Sequence, residues 1–364
     1  MRFGEPLEED RLLALVRRAY DQGLRTFMTG DVYGCGQADE MMGRALEGLP
    51  RHSYCLAGLV GHDFYSTRRD GAKGFPRFTQ PGLRSPTQYA DYLRMATEKS
   101  LQRCRTDRFD LLLLHNPDST GYTSDAVWKG LEKIKELGLA GWLGVAPGPA
   151  NGFTLDLIAC FQRFAGLLDW AMIILNPLEP WPGSLCLPAA QQHRVRLITR
   201  VVDHGGLFHD DVKPGHVFRK DDHRVFRPAG WVEAGWEKIS RLRPVAQAHG
   251  LSMLQLACCW NLAQPPVQCV IPTLIQESGA TAKPIEAKLD ELATLPPSRL
   301  TAEECAQIRQ VGENQGCMDL KGGHPEHQGE PAPDRWSLDD DLRAAARQWG
   351  IVPERDLVCT MHGS

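Results

Sequence analysis

No excess of either charge marks this chain of 364 residues: 45 acidic against 41 basic side chains leave a formal net charge of −4. So balanced a composition offers no global field for nucleic acid or an anionic membrane. Runs of about 18 apolar residues, which a membrane-spanning helix requires, are missing too. There is no charged-then-apolar stretch at the start of the kind that directs secretion, so the expectation is a cytoplasmic protein. No Gly-x-Gly-x-x-Gly follows a strand, and Gly34-Cys35-Gly36 is not a dinucleotide fingerprint. Eleven cysteines are present, but not in a disulfide setting: Cys258 and Cys259 are adjacent in an apolar run, and Cys55, Cys160 and Cys269 lie in other hydrophobic segments. They read as reduced thiols packing as small hydrophobes.

What the chain does have is a repeated alternation of amphipathic helix and short apolar strand, in a composition that is 42% apolar and 24% charged. Strands are predicted at 24–28, 54–60, 110–115, 141–146, 170–175, 195–202 and 267–272. Apolar strands between helices imply a parallel sheet covered on both faces. The expected fold is therefore α/β, a (β/α)₈ barrel of TIM type. Seven strands are legible where eight are needed, so the first is missing or survives as a stub at Met1–Gly4. Residues 1–311 carry the barrel, and 312–364 form a C-terminal extension with a helix at Leu338–Trp349, expected to fold over the barrel mouth. The long Gly/Pro-rich loop Gly61–Ser85 also stands outside the repeat.

The run Phe27-Met28-Thr29-Gly30-Asp31-Val32-Tyr33-Gly34, followed by Gly36, Glu40, Gly43 and Leu46, resembles the aldo-keto reductases. Asp110–Asp118, Gly141–Val145, Arg243–Leu262 and Val270-Ile271-Pro272 are similar to later segments of that family, in order. The resemblance implies a tyrosine that protonates a carbonyl as NADPH delivers hydride, a lysine–aspartate pair that lowers the tyrosine pKa, and a histidine that orients the substrate. Carried over, Tyr33 stands at the tyrosine position and His115 at the histidine position, whereas Met28 replaces the aspartate and Leu59 the lysine. The Ser-Asn pair that holds the nicotinamide carboxamide in the family is Ala146-Pro147 here, and neither side chain can hydrogen-bond. Lys283 and Lys288 are the candidates left to meet a phosphate. NADP(H) is thus a possible cofactor whose usual binding pattern is not preserved.

Strand ends of a barrel carry its chemistry. Besides Tyr33 and His115 as the catalytic pair, the ends and their loops offer Asp31, His62, Asn116, Trp181, Arg200, Asp203 and His204 as substrate contacts. Histidines and carboxylates on one rim are compatible with a metal, although the expectation is an acid/base site with none. Cys317, His324, His327, Cys359 and His362 in the extension do not match a common zinc spacing. The expectation is an enzyme acting on a carbonyl or sugar-like small molecule by a non-redox step such as elimination, hydration or isomerisation. Two alternatives stay open: an NADPH-dependent carbonyl oxidoreductase with an altered tetrad, and a catalytically silent barrel serving as a binding or regulatory subunit.

Overall fold

The computed structural model describes residues 3–70, 74–148, 153–315 and 338–357. Seven strands, β1 (Thr26–Gly30), β2 (Cys55–Val60), β3 (Phe109–His115), β4 (Ala140–Ala146), β5 (Trp170–Ile174), β6 (Arg196–Arg200) and β7 (Val267–Ile271), form one sheet in sequence order. Every neighbouring pair is parallel, and the bounds fall within two residues of those expected. One apolar cluster takes inward side chains from all the strands: Ala57, Leu59, Leu111, Leu113, Ala146, Met172 and Ile198, with Met28, Cys269 and Ile271 packed on them. A flat sheet could not bring its first and last strands to one cluster, so the sheet is curled into a barrel.

The helices form the outer layer. In chain order they are α1 (Glu9–Asp21), α2 (Gln37–Leu46), α3 (Tyr89–Arg103), α4 (Ser119–Thr123), α5 (Asp125–Glu136), α6 (Thr154–Phe164) and α7 (Leu187–Gln192). Then follow α8 (Trp231–Ala248), α9 (Met253–Leu262), α10 (Ile285–Ala293), α11 (Ala302–Val311), α12 (Asp340–Gln348) and α13 (Pro353–Asp356). A second, larger core of outward strand residues and inward helix residues fills the space between the layers. In it Trp128 of α5 stacks on Phe164 of α6 with ring centroids 4.8 Å apart. None of the described helices is long and apolar enough to cross a membrane.

Residues 3–6 are not a strand stub: Gly4 turns with φ +57, and its N–H donates to Asp222 at 2.7 Å. Glu5 N–H then donates to Gln276 O at 2.7 Å, which ties the segment to the loop after β7 rather than to a strand edge. Helices α10 and α11 were not anticipated, although Thr301 and Glu304 form a capping box at the start of α11. The described part of the extension packs on the flank of the barrel, with Leu342, Ala345 and Ala346 of α12 buried against α6. The zinc candidates Cys317, His324, His327, Cys359 and His362 lie outside the described residues.

Candidate active site

Strand β3 is apolar from Leu111 to Leu114 and ends in His115, paired in register with Ala146 of β4. Beyond β2, Gly61 lets the backbone approach closely, since a Cβ there would sit 2.6 Å from the His115 carbonyl oxygen. Tyr33 opens the short turn after β1 and is 50% exposed at the mouth, yet its hydroxyl turns inward to His115 Nε2 at 3.3 Å. The rings meet edge to face, 5.5 Å apart.

Behind them, the His62 ring lies 5.1 Å from that of His115. His62 Nδ1–H donates to Phe75 O at 3.0 Å, and its Nε2 accepts from Asn116 Nδ2 at 3.0 Å. That pair of bonds specifies a neutral imidazole. Burial, followed by the charge of Arg77, lowers the His62 pKa to about 4. His115 is held well below the usual histidine range by burial and then by His62, Arg200 and Arg77. Its Nδ1 is buried with no hydrogen-bond partner among the described residues. The Tyr33 pKa is raised by burial, against which the Arg200 charge pulls down and the Asp31 charge pushes up.

Arg200 ends β6. Side chains alternate along a strand, and Ile198 points into the barrel, so Arg200 does as well. Its Nη2 crosses to the carbonyls of Pro147, at 3.3 Å, and Gly148 after β4. The next residue, Val201, has φ +58, a left-handed conformation costing a β-branched residue about 1–3 kcal/mol. Asn116 and His204 are left-handed too, at φ +47 each, so strain collects at these strand ends.

The structure thus brings together Tyr33, His115, His62, Asn116 and Arg200. It separates the other candidates. Asp31 is fully buried, accepts from Tyr65 Oη at 3.4 Å, and feels Asp39 and Arg103 of the helix layer. Burial and the neighbouring Asp39 raise its pKa well above the carboxylate range. Asp203 is likewise fully buried and accepts from Thr273 N at 2.7 Å and Gly206 N at 2.9 Å, bracing the β6 loop on the β7 loop. Trp181 donates through Nε1 to Asp356 O at 2.5 Å and anchors the extension. His204, 3.7 Å from Glu179, lines a separate cavity of about 410 Å³ with Trp231 and Lys238. Arg77, in the long loop after β2, joins the mouth unforeseen: its Nε donates to Asn116 O at 2.6 Å. Only the unusual length of that loop pointed there.

The residues that stand where an NADP(H) site would be do not fit that group. The Met28 and Leu59 side chains are part of the apolar barrel interior, so the positions of the family's aspartate and lysine hold no charge. Ala146 is apolar and buried, and the carbonyls of Pro147 and Gly148 are occupied by Arg200. Both candidate phosphate lysines are spent on acids: Lys283 on Glu291 at 2.5 Å, and Lys288, fully buried, on Asp211 at 2.6 Å and on Ile275 O. Among the described residues no group of three or more His, Cys, Asp or Glu is placed to hold a metal.

Comparison with known proteins adds the relatives. The sequence model of the Aldo/keto reductase family matches residues 1–312. An uncharacterized oxidoreductase of Bacillus subtilis, YqkF, is 23% identical over 83% of this chain and 88% of its own length. Versiconal hemiacetal acetate reductase of Aspergillus parasiticus is 24% identical over 85% of this chain and 91% of its own. Among solved structures, a glycerol dehydrogenase from Gluconobacter oxydans superposes with a TM-score of 0.67 at 22% identity, over 84% of this chain and 86% of that one.

Proposed function

This chain belongs to the aldo/keto reductase family, and on that premise we propose that it is an enzyme transferring protons on a small carbonyl or sugar-like substrate, with Tyr33 as the proton-transfer residue. The observation that carries this is the 3.3 Å contact between Tyr33 Oη and His115 Nε2 at the barrel mouth, within the field of the part-buried Arg200. An imidazolium at His115 is opposed by burial and by two guanidinium charges. Tyr33 is therefore the member of the pair that changes its proton, and His115 holds it in place. Tyr33 gives its proton to the carbonyl oxygen; the phenolate left behind is held by His115 Nε2–H and by the Arg200 charge. In an isomerisation the phenolate then takes a proton from the carbon next to the carbonyl, giving the enol with Tyr33 restored; in an elimination that enol loses its hydroxyl proton and the β-hydroxyl together as water; in a hydration the phenolate instead takes a proton from a water that adds to the carbonyl carbon. Arg200, reaching in from β6, supplies the cation that the family's lysine would supply from β2.

The names of the relatives, a hemiacetal reductase and a glycerol dehydrogenase, favour a second reading as a carbonyl oxidoreductase. Incubating the protein with aldehydes, ketoses and sugar acids, with and without NADPH, and following each substrate by proton NMR separates the two. Product formed without dinucleotide, and lost in Tyr33→Phe, is the expected result. Product formed only with NADPH would overturn the non-redox step in favour of the oxidoreductase.

A further inference from the structure

Among the described residues, the one arginine and the one lysine that are fully buried are paired with carboxylates. Arg224, 2% exposed, meets Asp222 at 2.7 Å and Glu277 at 2.6 Å. Lys288 meets Asp211, and the part-buried Arg84 also meets an acid, Asp63, at 2.5 Å. At the mouth two part-buried arginines bond to carbonyls instead. Among the described residues, Arg200 bonds only to the carbonyls of Pro147 and Gly148, and its Nε is buried with no partner. Arg77 bonds to the Asn116 carbonyl. The acid nearest its charge, Asp118, accepts from Thr79 Oγ1 at 2.7 Å and Gly121 N at 2.9 Å. Glu179 acts on Arg200 only through space and lies beside His204 at 3.7 Å.

The groups between the two guanidiniums add no negative charge, because Tyr33, His62 and His115 are all neutral near pH 7. A desolvated guanidinium without a counter-ion is costly, and the cost is relieved by an anion that arrives with the ligand. Both arginine pKa values are lowered by burial, the direction expected of cations lacking an acid partner.

We propose that the mouth takes a carbonyl substrate that also carries a carboxylate, anchored on the free Nε–H of Arg200 with Arg77 completing the positive field. This rests on the Tyr33–His115 reading, whose reacting carbonyl the anchored carboxylate would position. A carboxylate is favoured over a phosphate because two guanidiniums, one of them partly offset by Asp118, balance one negative charge better than two.

The probes are acetate, its neutral isostere acetamide, and inorganic phosphate, titrated into the full chain labelled with ¹⁵N-histidine. The His62 and His115 ring signals, assigned through Asn variants, are the readout. Acetate should shift these signals with a dissociation constant about tenfold or more below that of acetamide, the scale of one charge-assisted bond. Arg200→Met should abolish that preference, and Arg200→Lys should keep part of it. Should Arg200→Met not fold, as judged by circular dichroism, the Lys variant and the three-probe ranking still decide. Equal binding of acetate and acetamide, an intact preference in folded Arg200→Met, or phosphate binding tighter than acetate would each overturn the proposal. Tyr33→Phe keeps the two claims apart. It should retain the acetate preference while losing turnover, and full turnover with the preference retained would sink the proton-transfer reading alone.

Discussion

Tyr33 and His115 share one hydrogen bond but carry opposite burdens of burial: the phenol is held neutral upward, the imidazole neutral downward. Tyr33→Phe removes only a hydroxyl from a half-exposed ring, so stability should hardly change while turnover on a confirmed substrate falls by about 10²-fold or more. His115→Asn should lose a comparable factor without unfolding the barrel. Because His115 is neutral well below its ordinary range, the rate should show no acid limb near pH 6.5 and should fall only as the phenol ionises above about pH 10. A limb near 6.5 would contradict a buried neutral imidazole.

His62 adds a stability signature. Its pKa drops from 6.5 to about 4 on folding, so the unfolded chain binds the extra proton first. Its contribution is complete above pH 6.5 and is lost as pH falls from 6.5 towards 4, a change on the order of 3 kcal/mol. Urea unfolding at pH 7 and pH 4.5 should show that loss on top of the share owed to His115, His204 and His209, which are lowered likewise, and His62→Asn should reduce the slope by the His62 share. An equal slope in the variant would refute the assignment.

Among the elements, the loops that follow the strands divide into those that present side chains and those that brace. Asp203, at the end of β6, satisfies two backbone N–H groups, one in its own turn and one after β7. Asp203→Ala strands both, and should cost about 2–4 kcal/mol in urea unfolding; a loss below about 0.5 kcal/mol would contradict the bracing role. Trp181→Phe removes the bond to Asp356 O and should speed limited proteolysis within 338–357 relative to the barrel.

Strand positions were legible because a run such as Leu111–Leu114, buried on both faces, has few other uses in a chain of this kind. The division of labour at the strand ends was not. Asp31, Asp203 and Arg200 look alike in sequence, as polar residues at the ends of apolar runs. What separates them is the partner each meets more than thirty residues away: Tyr65, Thr273 and Pro147. Arg77 sits in an irregular loop, where no periodicity reports the direction of a side chain.

At the scale of the whole molecule, the family's barrel is kept, and on the proposed reading the charges at its mouth serve a substrate rather than a dinucleotide. The cation beside the tyrosine comes from β6, and the positions of the aspartate and lysine are filled with the apolar interior. Lys283 and Lys288 are committed to acids of the chain itself. No single substitution accounts for this; the changes at Met28, Leu59, Ala146 and Arg200 are mutually consistent. The most direct test of that account is calorimetric titration of the full chain with NADPH. It predicts a dissociation constant weaker than about 100 μM, roughly 3 kcal/mol or more short of a low-micromolar reductase. A low-micromolar constant would contradict it and make the protein an oxidoreductase with an altered tetrad.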